Sequence, residues 1–332
     1  MFDALHIRST RIAPALFLAP MAGITHSAFR RLLADFGGYG ALYTEMLSTG
    51  AFLKENLETS PYTRRRPEEG AVIYQFQTNG APNLEEVFGR IGKLDYTAID
   101  LNLGCPAPEI QQQRAGAALF RDFDRLKDVL TRIRSVYDGP LTVKCRLGDD
   151  PEGWQTGFVE RLRLFEDMGI DALCVHPRFS TEKLKRRARW ELFPWVKERT
   201  RLPLIGNGDV CCVADVDRNP EAFQALDGLM LGRIVAVKPW IFRDFAGLEP
   251  LELDYAEVWE RMYGYILEDL PPERAYSRLK EFTFYFVKNF LFGHDLYRPV
   301  QNARTVEGIR EGILPALERK PTLRVSQGLA FS

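Results

Sequence analysis

The sequence is short of the residues that hold secreted or metal-dependent domains together. Its five cysteines (105, 145, 174, 211 and 212) form an odd set with neither CxxC nor zinc spacing. That pattern argues for reduced thiols in a cytoplasmic compartment and against a disulfide framework or a metal site. No apolar run approaches the roughly 20 residues needed to cross a bilayer. The N-terminal stretch MFDALHIRST lacks the basic and apolar segments of a secretory signal. Together these absences predict a cytoplasmic protein with no membrane contact. Net charge is also missing: 44 Lys and Arg against 45 Asp and Glu leave −1, so bulk charge does not point to nucleic acid. The GxGxxG fingerprint that would follow the first strand of a dinucleotide-binding sheet is absent as well.

The composition is that of an ordinary globular protein, with 45% hydrophobic, 27% charged and 12% aromatic residues in 332. That length allows one large domain and a smaller one. Short β-rich runs recur at 16–21 (LFLAPM), 41–46 (ALYTEM), 72–77 (VIYQFQ), 98–104 (AIDLNLG), 141–147 (LTVKCRL), 172–178 (ALCVHPR), 202–208 (LPLIGNG) and 228–233 (GLMLGR). Helical patterns separate them, such as SAFRRLLADFG and FDRLKDVLTRIRSVY, with apolar residues at spacings of three and four. This rhythm predicts a (β/α)8 barrel, a TIM barrel, over residues 1–248; a doubly wound open sheet is the alternative. From Ala256 onward strand signals cease, and residues 249–332 are expected to form a small helical domain. Charge is unevenly spread. From Arg274 to the end, ten Lys and Arg stand against five acids, and basic clusters occur at 64–66 (RRR) and 183–189 (KLKRRAR). Each cluster reads either as a solvated face or as a grip for phosphates.

Barrel active sites lie at the carboxyl ends of the strands. Here those ends carry Pro20-Met21-Ala22-Gly23, Glu45, Gln75, Asn102 with Cys105, Lys144 with Arg146, His176 with Arg178, Asn207-Gly208-Asp209 and Gly232-Arg233. Amide or charged groups at seven successive ends imply a polar pocket. Glycine-rich ends on the last two strands point to a phosphate-bearing ligand, with the Arg233 guanidinium as a two-donor fork. Lys144 reads as a fixed positive charge facing an electron-rich ring, or else as an inward lysine paired with an acid. Gln75 offers donor and acceptor together, which suits a heterocycle edge. His176 is the one histidine at a strand end, although a buried, merely satisfied histidine is the other reading. Cys105 ends a strand between Gly104 and Pro106, either as a positioned thiol or as a small buried hydrophobe.

The ordered set LAPMAGITHSAFRRL, YTEM, DLNLGCP with AGAAL, VKCRLG, HPR, IGNGD and GLMLGR resembles the signature of the tRNA-dihydrouridine synthases, across essentially the whole barrel. The resemblance implies an FMN-dependent enzyme that reduces uridines of tRNA to 5,6-dihydrouridine, with NADPH as transient electron donor. By it, Pro20, Met21 and Ala22 would pass along the flavin ring, and Gln75 and Lys144 would contact its pyrimidine side. His176, Asn207, Gly208, Asp209, Gly232 and Arg233 would hold the ribityl chain and phosphate. Asn102 and Arg178 would face the uracil, and Cys105 would be the catalytic acid. The helical tail suits that family's RNA-binding domain. A local departure follows the sixth strand, where HPRFSTEKLKRRARW replaces a His-Gly-Arg-Thr type of loop. Saturating the uracil 5,6 bond needs hydride at C6 and a proton at C5, and a thiol is mostly protonated at neutral pH. Gly104 and Pro106 would fix the turn that aims it. Two alternatives remain: an FMN barrel acting on a free pyrimidine, and a non-redox barrel or RNA-binding module. A monomer is expected.

Overall fold

The computed structural model describes residues 2–81, 83–182 and 185–324. Its strands are β1 (Leu5–Ile7), β2 (Thr10–Ile12), β3 (Leu16–Leu18), β4 (Ala41–Tyr43), β5 (Leu47–Ser48), β6 (Ala71–Gln77), β7 (Ala98–Leu103), β8 (Leu141–Arg146), β9 (Ala172–His176), β10 (Leu204–Asn207) and β11 (Gly228–Leu231). The order β3-β4-β6-β7-β8-β9-β10-β11 runs parallel throughout and returns to β3, which closes the barrel. All eight expected strands are present, most of them shorter than the apolar runs that announced them. The short β5 continues the second strand and pairs Leu47 with Phe76 and Ser48 with Gln77.

Period-two alternation explains why the barrel interior can be polar. In β8, Leu141, Val143 and Cys145 are buried on one face, while Thr142, Lys144 and Arg146 share the other. The outward apolar faces are covered by amphipathic helices. In the helix Phe123–Val136, Leu126, Val129, Leu130 and Ile133 are buried at helical spacing. Its start is set by Asp122, whose side chain accepts from Arg125 N, a cap worth about 1 kcal/mol.

The β1–β2 hairpin was not anticipated, because its strands have three residues each and carry exposed His6, Thr10 and Arg11. It lies at the amino-terminal end of the barrel, where Arg8 Nε donates to Asp171 Oδ1 at 2.9 Å just before β9.

Beyond the barrel come the helices Tyr255–Asp269, Pro272–Phe286, Gly293–Asn302 and Val306–Glu318. Tyr255–Asp269 packs on the barrel helix Ser27–Phe36, and Phe29 meets Phe282 with ring centroids 6.3 Å apart. The RRR cluster belongs to this contact. Asp269 accepts a forked pair from Arg66, a bond from Arg64 at 3.3 Å and the Ser27 hydroxyl at 2.6 Å. Arg65 donates to Gly70 O and pairs with Asp95. All three guanidinium groups of 64–66 are thus engaged within the protein, which favours a role in holding the C-terminal helices over the expected grip on phosphates. Residues 183–184 of the other basic cluster and 325–332 of the tail fall outside the described residues. Among the described residues, no helix is long and apolar enough to cross a membrane.

Candidate active site at the carboxyl ends of the strands

Strand register brings the site residues together. Gln75 aligns with Asp100, Asn102 with Lys144, and Arg146 with His176. Gln75, Asp100 and Asn102 are all buried and joined by hydrogen bonds. Gln75 Nε2 donates to Asp100 Oδ2 at 2.7 Å, and Asn102 Nδ2 donates to Gln75 Oε1 at 2.8 Å. Asn102 Oδ1 accepts the backbone N–H of Gly104 at 3.2 Å and of Cys105 at 3.0 Å. Asn102 Nδ2 also meets Met46 Sδ at 2.9 Å. The turn carrying the thiol is thus pinned by a side chain of its own strand. The Cys105 carbonyl in turn accepts from Ala117 N at 3.1 Å.

Asp100 had no expected role, although it sits two residues before Asn102 and so on the same strand face. Burial pushes its carboxyl up to about 6, against the bonds from Thr142 and Gln75 and the charge of Lys144. Thr142 Oγ1 donates to Asp100 Oδ1 at 2.6 Å. Lys144 itself is half-buried and, among the described residues, forms no ion pair within 4 Å. The reading of Lys144 as an inward lysine held in an ion pair therefore finds no partner at that range.

On the other side of the mouth, His176 is held neutral by burial and by the surrounding charges of Lys144, Arg146, Arg178 and Arg233. Neutral imidazole can accept at Nε2, where Arg178 Nη1 lies at 2.9 Å, so the ring proton belongs on Nδ1. Arg178 is buried; its Nε donates to Arg186 O and its Nη2 to Asp209. Asp209 also accepts from Arg233 at 3.3 Å and from Ala188 N at 2.8 Å. A carboxylate in this position is an arginine clamp, and two guanidinium groups share it. Burial and the Arg178 charge lower the Arg233 pKa while Asp209 raises it. Asn207 Nδ2 donates to Met230 O at 2.9 Å, bracing β10 against β11. Gly208 adopts φ +121°, and a Cβ there would stand 2.8 Å from His176 Cδ2, so the histidine ring occupies the space a side chain would need. Gly232 stands between β11 and the short helix Arg233–Val237, where the backbone turns out of the barrel.

After β3, Pro20 and Met21 are half-buried and Ala22 is exposed. Met21 N donates to Thr25 Oγ1 at 3.1 Å, and Gly23 N to Glu45 Oε2 at 2.7 Å. Burial pushes the Glu45 carboxyl up, and the Gly23 bond opposes it. Gly23 has φ +82°, and a Cβ there would collide with Glu281 Oε2 at 2.2 Å. The helix Pro272–Phe286 therefore lies directly against the loop that follows β3. Further along the chain, Tyr285 and Lys288 are near enough to Arg233 for its charge to act on both. No motif pointed to these residues, which reach the mouth only through the packing of a distant helix.

Residues 17–302 match the family model described as dihydrouridine synthase. The chain is similar to tRNA-dihydrouridine synthase B of Shewanella oneidensis, at 32% identity over 233 residues, covering 69% of this chain and 70% of that protein. It is similar to the Klebsiella pneumoniae protein of the same name at 33% over 230 residues, with 69% and 70% covered. For the Proteus vulgaris protein of that name the figures are 31% over 273 residues, with 80% and 82% covered. Among solved structures, the old yellow enzyme homologue from Zymomonas mobilis shares the fold at 13% identity and a TM-score of 0.55, over 78% of this chain and 95% of that one. The old yellow enzyme from Trypanosoma cruzi does so at 10% identity and a TM-score of 0.53, over 77% and 94%.

Proposed function

The chain belongs to the dihydrouridine synthase family, and from that premise we propose that it reduces uridine in tRNA to 5,6-dihydrouridine with FMN as resident cofactor and NADPH as electron donor. The observation that carries this reading is the meeting of two features at one barrel mouth. A cation-rich pocket surrounds His176, and the Cys105 turn is anchored by Asn102, the register partner of Lys144. Acting on tRNA rather than on a free pyrimidine agrees with the names of the relatives.

The residues present fit FMN. Lys144, Arg146, Arg178 and Arg233 bring four positive charges to bear on His176, while Asp209 is the carboxylate bonded to Arg178 and Arg233. That surplus suits a phosphate, for which Arg233 and the backbone at Gly208 and Gly232 are the candidate ligands. Lys144 is suited to the electron-rich pyrimidine edge of the ring. Gln75 retains a second amide hydrogen and a second lone pair beyond the two bonds it makes here. Held by these residues, FMN would supply the hydride for C6 of the uracil.

The chain's own residues supply the rest. Arg178 orients the base through the guanidinium N–H groups not bonded to His176, Arg186 or Asp209. Asn102, whose amide is taken up by Gln75, Met46 and the Cys105 turn, lines the pocket beside it. Cys105 Sγ–H delivers its proton to C5, and the turn fixed by Asn102 sets that approach, where much of the rate gain from positioning arises. The target uridine is stacked in folded RNA and must be turned out to reach this depth. Exposed Lys185, Arg186 and Arg187 flank the mouth and attract the phosphates. NADPH uses the same mouth before RNA arrives.

Cys105→Ala tests the reading by separating the half-reactions. NADPH should bleach the bound flavin at close to the normal rate. Reoxidation by unmodified tRNA should slow by about 10²–10⁴-fold, the usual scale of general acid catalysis. Rapid-mixing absorbance measures both steps. Reoxidation at the parent rate would remove Cys105 from the chemistry.

A further inference from the structure

We infer that Asp100 is a positioning residue whose carboxylate fixes the direction of a hydrogen-bond chain running through Gln75 and Asn102 to the Cys105 turn. Both ends of the chain demand the same direction. At the outer end, the N–H groups of Gly104 and Cys105 are pure donors, so Asn102 must turn its oxygen towards them. Its amide nitrogen then donates to Gln75 Oε1, which leaves Gln75 Nε2 in need of an acceptor. At the inner end, Asp100 is that acceptor at 2.7 Å, and as a carboxylate it can accept only. Thr142 occupies its second oxygen at 2.6 Å, so the carboxylate is held from two sides.

An amide side chain is nearly symmetric in shape, and nothing but its partners decides which end is nitrogen. If the inner acceptor were lost, Gln75 could turn over. Asn102 Nδ2 would then face the Gln75 amide nitrogen rather than its carbonyl and lose that acceptor, which loosens its hold on the Cys105 turn. Asp100 lies below the mouth and is fully buried, so it acts on the reacting atoms through other residues. One group thereby sets both the amide facing the cofactor edge and the turn carrying the thiol. The functional half of this inference rests on Cys105 being the acid; the structural half does not.

The test compares Asp100→Asn with Asp100→Leu in the FMN-loaded, full-length protein. Asparagine can still offer Oδ1 to Gln75 Nε2 while its amide donates to Thr142, whose hydroxyl turns to receive it. Leucine has a similar outline and offers no acceptor. In Asp100→Leu, hydrogen exchange at the Gly104 and Cys105 amides should quicken by about tenfold, the scale of one lost hydrogen bond. Reoxidation by saturating tRNA should slow by about 10²-fold, the scale of a misplaced reacting group. The KM for tRNA should change little, and the NADPH step should slow far less than reoxidation because Gln75 is only one contact of the cofactor edge. Asp100→Asn should restore both exchange and reoxidation. Gln75→Met cuts the same chain at its middle and should reproduce the exchange result if the leucine variant folds poorly. Unchanged exchange in both variants would overturn the inference, as would equal slowing of the two half-reactions. Faster exchange with normal reoxidation would uphold Asp100 as the residue that directs the anchor and refute Cys105 as the acid.

Discussion

Asp269 ties the C-terminal helices to the barrel, and removing it should unfasten them. The residue ends the helix Tyr255–Asp269 and receives Arg66 through two bonds, Arg64 at 3.3 Å and Ser27 at 2.6 Å. Burial alone would raise its carboxyl, but the bonds from Arg66 and Ser27 and the charges of Arg66 and Arg64 hold it below the ordinary value of 3.8. Deleting one partner of a fully buried ion pair costs about 3–5 kcal/mol. Here the arginine side chains are 16% and 37% exposed, so water recovers part of the loss. Asp269→Ala should therefore cost about 2–3 kcal/mol. Because the folded pKa is depressed, the contribution is present above the unfolded value near 3.8 and fades as pH falls through the folded one. Urea unfolding at pH 7 and again near pH 3 measures the cost and its loss. The same experiment judges the RRR cluster. If Arg64 and Arg66 are interface residues, Arg66→Ala lowers stability and leaves the salt dependence of tRNA binding unchanged. An arginine on a phosphate would instead reduce that slope by about 0.7–0.9. Parent-like stability of Asp269→Ala, together with a reduced slope in Arg66→Ala, would refute the tie.

Arg233→Ala should weaken FMN retention about ten- to a hundred-fold, since a charge-assisted bond is worth roughly 1.5–3 kcal/mol. Fluorescence titration of the apoprotein reads this, and unchanged affinity would move the phosphate elsewhere. Exchanging Lys185, Arg186 and Arg187 for glutamate should weaken tRNA binding and lower its salt slope by about 2 or more. FMN affinity should survive, because the loop meets Arg178 and Asp209 through the backbone of Arg186 and Ala188. A salt slope equal to the parent's would place the RNA path away from this loop.

Much of the fold was legible because its signals are local. Eight strands are visible as short β-rich runs, and the polar inner face of β6, β7 and β8 follows from counting by two. Gln75, Asn102, Lys144 and His176 are therefore legible as candidates in the sequence. What stayed hidden depends on distant pairing. Arg64 to Arg66 read in sequence as a solvated face or a phosphate grip, and what sets Arg64 and Arg66 apart from both is Asp269, 203 residues from Arg66. The same holds for Asp209, which reads as a ligand at a glycine-rich turn but spends its oxygens on Arg178 and Arg233. Asp100 stayed hidden for a different reason. It lies on the expected face and beside the expected residues, yet nothing in a string of letters says that it accepts from Gln75. A polar residue at the mouth can be recognised by position alone. A group that works by directing its neighbours' hydrogen bonds appears only once every donor in the pocket is traced to an acceptor, and at this mouth that trace ends on Asp100.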